Sequence, residues 1–162
     1  MTPFFKMRST QMRRLSILAC VPLALLLATD GSGFAQSQNC TTDQERAAET
    51  EAETLRDWAA LHQSFLRFKQ CDDGSIAEGY SESVARIVVD HWQTLPKLAS
   101  LTRTDRPFLS FVLKHIDATL NPDDLKRIQE NASSRCPAGL ASLCSAIGKH
   151  AISALGENSP TK

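Results

Sequence analysis

Three features of the chain predict an all-α fold. From Thr42 onward apolar side chains recur at steps of three and four, no run of β-branched residues alternates with polar ones, and capping residues, glycines and prolines punctuate the pattern at helix-sized intervals. The expected architecture is a compact bundle of about five helices, stapled by disulfides and preceded by a cleavable signal peptide. The helices are expected over 42–71, 75–95, 106–119, 122–132 and 137–155, in a single domain spanning 36–156 with a flexible tail over 157–162.

The front of the chain reads as a secretory leader. Lys6, Arg8, Arg13 and Arg14 precede an apolar run from Leu15 to Ala28, and Gly33-Phe34-Ala35 sets small residues three and one before a cut. The run holds 14 residues and contains Pro22, whereas a membrane-spanning helix needs about 20 apolar residues, so cleavage is preferred over anchoring. Ile17-Leu18-Ala19-Cys20 loosely resembles a lipidation box, but the apolar run continues well past Cys20, so this cysteine is expected to leave with the leader. Export to the periplasm or the cell exterior follows, with no membrane attachment after cleavage.

Cleavage after Ala35 leaves 127 of the 162 residues, enough for one core. It also removes four basic residues and one acidic one, so a formally neutral chain becomes one of charge −3. Nucleic-acid binding, which needs a basic stripe, is not expected. Four cysteines remain: Cys40, Cys71, Cys136 and Cys144. An even count in an exported chain predicts disulfides, and the spacings of 31, 65 and 8 residues contain no Cys-x-x-Cys pair of the kind zinc requires.

The first helix is expected to open on a capping box, Thr42-Asp43-Gln44-Glu45. Its first part, Arg46 to Thr54, has little to bury, while Leu55, Trp58, Leu61, His62, Phe65, Leu66 and Phe68 form a broad apolar face. Asp72-Asp73-Gly74 ends it. Ser75-Ile76-Ala77-Glu78 is a second capping-box match, ahead of Ile76, Tyr80, Val84, Ile87, Val88, His91, Trp92 and Leu95. Gly79 inside that helix costs about 1 kcal/mol relative to Ala, which suggests a close neighbour at that turn. Pro96 ends or bends it, leaving a short segment around Leu98 and Leu101.

Asp105 with Pro107, and Asn121 with Pro122, mark the next two starts. Phe108, Phe111, Val112, His115 and Ile116 are expected inward on the first, Leu125 and Ile128 on the second, and Leu140, Leu143, Cys144, Ile147 and Ala151 on a last helix from Pro137. An unbroken helix over 43–70 separates Cys40 from Cys71 by about 40 Å at about 1.5 Å per residue, far beyond the reach of a disulfide. Cys136 and Cys144 are likewise too far apart if helix already runs between them. The expected pairing is therefore crossed, with Cys71 joined to the Cys136/Cys144 region.

The segment that concentrates chemistry is Cys71 to Glu82. It brings Asp72, Asp73, Glu78 and Glu82 near a helix start, with Glu78 and Glu82 four residues apart on one face. Such carboxylates dock a basic partner, coordinate Ca²⁺ or act as acids; acids at a positive helix terminus also serve simply as caps. The Asp-x-Asp-x-Asp-Gly calcium pattern is missing.

His62, His91 and His115 fall on apolar faces of three helices without a motif that fixes two ligands on one helix, so neither a metal nor another cofactor is expected. Gly-x-Ser-x-Gly, phosphate-loop and dinucleotide motifs are absent, and no catalytic residue is assigned. Asn131-Ala132-Ser133 matches a glycosylation acceptor, a tripeptide frequent by chance. Trp58, Trp92, Phe65, Phe68, Phe108 and Phe111 are expected in the core. The function expected is binding of a protein or ligand in the bacterial periplasm, more narrowly as an inhibitor or immunity-type protein for a secreted or cell-wall enzyme. A small helical cell-wall hydrolase using Glu78 or Glu82 is the alternative from another class.

Overall fold

The computed structural model describes residues 39–157, which form seven α-helices and two short 3₁₀ turns with no strand. The leader, Cys20 and the end of the tail, 158–162, lie outside the described residues. In order the helices are α1 (Thr42–Ala52), α2 (Trp58–Phe68), α3 (Gly74–Asp90), α4 (Leu95–Thr104), α5 (Arg106–Lys114), α6 (Pro122–Ser134) and α7 (Ala141–Glu157). The all-α expectation holds, with seven helices in place of about five. No helix among the described residues is long and apolar enough to cross a membrane.

The largest correction is that 42–71 is two helices. α1 ends at Ala52, the chain turns through Glu53–Asp57, and α2 returns antiparallel to α1. Neither Gly nor Pro marks this break; one local cap and one set of long-range hydrogen bonds make it. Asp57 caps α2, its Oδ1 accepting the Ala59 and Ala60 N–H groups at 2.9 Å. The carbonyls freed at the end of α1 find donors on α3: Ser83 Oγ donates to Ala52 O, and Arg86 Nη1 donates to Leu55 O at 3.2 Å. Arg67 Nη2 then grips both carboxylate oxygens of Glu51 and ties the two antiparallel helices together.

The expected crossed disulfides are overturned for the same reason. With the chain folded back, Cys40 and Cys71 sit 4.9 Å apart at Cα and are bonded. Cys136 is bonded to Cys144 with Cα atoms 6.0 Å apart. Helix does not begin at Pro137: the chain turns through Gly139, whose φ of +78° suits glycine, and α7 opens only at Ala141. Both bonds therefore join cysteines that are neighbours in the order of the chain, over separations of 31 and 8 residues.

The other boundaries shift by less. Thr41, one residue before the expected cap, closes the first box with Gln44. Asp73, not Ser75, caps α3, and α3 ends at Asp90 rather than continuing to 95. A separate helix α4 follows, and α5 stops at Lys114 instead of 119. Asp105 and Asn121 cap α5 and α6 as expected, accepting from Phe108 N and Asp123 N.

One continuous core runs through the bundle. Trp58, Leu61, Tyr80, Ile87, Leu95, Leu98, Phe108, Ile116, Leu125, Ile128 and Ile147 are among its fully buried side chains. Phe65, Phe108, Phe111 and Tyr80 interlock at centroid distances of 5.0 to 5.4 Å, within the range of tilted and edge-on aromatic pairs. Leu66, expected on the buried face, is 47% exposed because it lies one position off the Trp58, Leu61, Phe65 and Phe68 stripe that α2 buries. The close neighbour expected at Gly79 is α1, for a Cβ there would lie 3.1 Å from Ala52 Cβ and 3.3 Å from the Glu53 backbone nitrogen.

Candidate functional site

The acidic segment splits into three environments. Asp72 turns inward, its side chain only 9% exposed, with Lys114 Nζ at 2.8 Å and His115 Nε2 at 3.2 Å. Burial pushes the Asp72 carboxyl up, but the close polar contacts and charges of His115 and Lys114 outweigh it and hold the pKa below the ordinary 3.8. Asp73 is spent as the cap of α3, accepting from Gly74 N at 2.9 Å. Glu78 and Glu82 are released, since the box that would have engaged Glu78 does not form. Both are exposed.

Those two glutamates line a polar groove of about 380 Å³ together with Glu53, Ser75, Gly79 and Thr119. The closeness of α1 and α3 at Gly79 builds it, because it sets Glu53, at the end of α1, against the outer face of α3. None of Glu53, Glu78 and Glu82 forms an ion pair among the described residues, whereas Glu51 and Asp72 nearby are both neutralised. The groove thus carries three uncompensated carboxylates. Two were legible as a pair at i, i+4. Glu53 was missed because an unbroken first helix left nothing to bring it beside them.

Ser81, His115, Asp117 and Asp72 form a largely buried polar network that sequence reading did not assemble. Ser81 Oγ is 3.0 Å from His115 Nδ1 and donates to Asp117 Oδ2 at 3.1 Å, while the other side of the His115 ring faces Asp72. The 3.2 Å approach of Nε2 to Asp72 Oδ1 is close without being an aligned hydrogen bond, and neither atom has a hydrogen-bond partner among the described residues. Ser64 and Tyr80 share a second buried hydrogen bond of 2.9 Å, which opposes the burial that raises the Tyr80 phenol. Serine, histidine and aspartate in contact are the residue types of a nucleophilic triad. Here Ser81 is 2% and His115 1% exposed, so no acyl group reaches the hydroxyl. The network is a strut between α3, α5 and the Cys71–Asp73 corner.

The three histidines do not converge. His62 Nε2 is bonded to Asp105 Oδ2 at 2.9 Å, His115 is taken up in the network, and His91 lies exposed at the C-terminus of α3, just where the helix and its apolar face end. No group of three or more potential ligands able to hold a metal occurs among the described residues. Asn131 is 7% exposed within α6, which closes the glycosylation tripeptide to modification of the folded chain. Comparison with protein-family models, curated proteins and solved structures finds no match to this chain.

Proposed function

We propose that this protein is exported to the bacterial periplasm and acts there by binding, and that the groove of Glu53, Glu78 and Glu82 receives a cationic segment of a protein partner. The uncompensated charge of that groove carries the reading: three carboxylates, one at the end of α1 and two on α3, without a counter-ion among the described residues, attract and orient a basic surface. Two disulfides within about 120 described residues agree with an oxidising compartment, and the leader pattern supplies the route to it. Occlusion of a secreted or cell-wall enzyme is the narrower form of this role. The hydrolase alternative is weaker, because a general acid works from a desolvated carboxyl and Glu78 and Glu82 both face solvent.

The test is capture from envelope extract by the immobilised, disulfide-bonded protein, beside the variant Glu53→Gln/Glu78→Gln/Glu82→Gln. A stoichiometric partner is expected on the wild type, released as salt rises past about 0.3 M and absent from the triple variant. Equal retention by both proteins would reject the groove as the docking site.

A further inference from the structure

On the other side of the α1–α2 bend, a second cleft of about 360 Å³ opens between the start of α2 and the end of α3. Its walls come from Arg56, Asp57, Trp58 and Ala59 on one side and His91, Thr94 and Lys97 on the other. Its volume falls at the lower end of the range of small-molecule sites.

Three observations on this cleft point to an anion. Among the described residues Arg56 pairs with no carboxylate: its Nη1 donates to the backbone carbonyls of Glu53 and Leu55, both at 3.1 Å. Lys97, across the cleft, is exposed and forms no ion pair among the described residues. The single carboxylate in the wall, Asp57, is already engaged by the Ala59 and Ala60 N–H groups.

A further observation is Trp58. This side chain is 2% exposed, yet its indole N–H has no acceptor among the described residues. Such a group ordinarily finds a partner when buried. The other tryptophan obeys that rule, Trp92 donating to Arg135 O at 2.7 Å. A wall that combines an aromatic body, an unsatisfied donor and two free cations suits a ligand with an apolar part and a negative end.

We propose that this cleft binds a small organic carboxylate with an apolar body of about eight carbon atoms, its carboxylate held by Arg56, Lys97 and the Trp58 indole N–H and its body along the rest of the cleft wall. The site is separate from the acidic groove, and its ligand has the opposite charge.

The probe is 3-phenylpropionate, titrated into the disulfide-bonded protein by calorimetry with tryptophan fluorescence as a second signal. Its amide, equal in shape and uncharged, and acetate, equal in charge without the body, are the controls. Binding of phenylpropionate is expected, with each control weaker by about tenfold or more. Lys97→Gln, an exposed change that removes no internal contact, is expected to weaken binding about tenfold, and Arg56→Gln/Lys97→Gln further. Glu53→Gln/Glu78→Gln/Glu82→Gln is expected to bind phenylpropionate as the wild type does. The proposal is overturned by no binding at about 10 mM, which corresponds to under about 3 kcal/mol. Equal affinity for the amide, or an unchanged affinity in Lys97→Gln, would overturn it as well.

Discussion

The molecule has two crosslinked corners that solve the same problem differently. At one, α1 and α2 run antiparallel, closed by Cys40–Cys71, and α1 lies on α3 at Gly79. At the other, α6 and α7 form a hairpin closed by Cys136–Cys144, with Gly148 against Ala132. In each, a disulfide fixes the ends and a helical glycine lets a neighbour approach. The first corner spans a 31-residue separation and carries a break, a buried charge network and both candidate sites on its flanks. The second spans 8 residues and carries only a shallow groove. The candidate sites lie where the chain needs most tertiary help to hold its shape, because the groups that satisfy a broken helix also place charges from distant segments side by side.

The sharpest way to break this comparison is to remove each bond. Chain-entropy arguments give about 3 to 4 kcal/mol for the Cys40–Cys71 loop and about 2 to 3 kcal/mol for the Cys136–Cys144 loop. Denaturant unfolding of Cys40→Ala/Cys71→Ala and Cys136→Ala/Cys144→Ala should preserve that order; a reversal would mean the first corner is held by its packing alone.

Next comes Asp72→Asn, expected to cost about 2 kcal/mol at neutral pH by leaving His115 and Lys114 without their carboxylate. Because the folded pKa of Asp72 lies below 3.8, its contribution is present above that value and is lost as pH falls through the lower folded one. The variant's stability should therefore fall less steeply than the wild type's below about pH 4. Parallel acid limbs for the two proteins would show that Asp72 is not coupled to folding.

Removing the cap of α2 by Asp57→Ala should cost about 1 kcal/mol, read as a lower melting temperature. A gain in stability would mean that α1 and α2 prefer to merge into the single helix their periodicity suggests. The smallest effect separates the glycines. Gly79→Ala places a Cβ 3.0 Å from Glu53 Cγ, 3.1 Å from Ala52 Cβ and 3.3 Å from backbone, so it should destabilise by about 1 kcal/mol despite the better helix former. Gly148→Ala meets only Ala132 Cβ at 3.2 Å, and the helix-propensity gain of about 1 kcal/mol should roughly cancel that crowding.

Local rules carried some elements well. The caps at Asp105 and Asn121 and the buried faces of α3 and α6 were legible, because a cap or an apolar stripe depends on residues within one or two turns. The break at Glu53–Asp57 was not. The shift in that region from an Ala/Glu-rich stretch to an apolar one was a signal, and Asp57 before Trp58 was another, but the stabilising donors, Ser83 and Arg86, lie about 30 residues away. Of the candidate site, the Glu78–Glu82 pair could be read from its spacing. Asp72 could not be told from its neighbour Asp73, since the difference between a buried charge partner and a cap is set by Lys114 and His115.

Periodicity, composition and cysteine count were by themselves enough for an all-helical chain with its four late cysteines in disulfides, because helix formation and its amphipathic burial are encoded at short range. Which cysteine meets which, where the first helix bends, and which carboxylates stay free were decided only in the folded molecule. Those outcomes depend on donors and charges that reach one another across the core, and no local pattern records a contact between residues 30 or 40 positions apart.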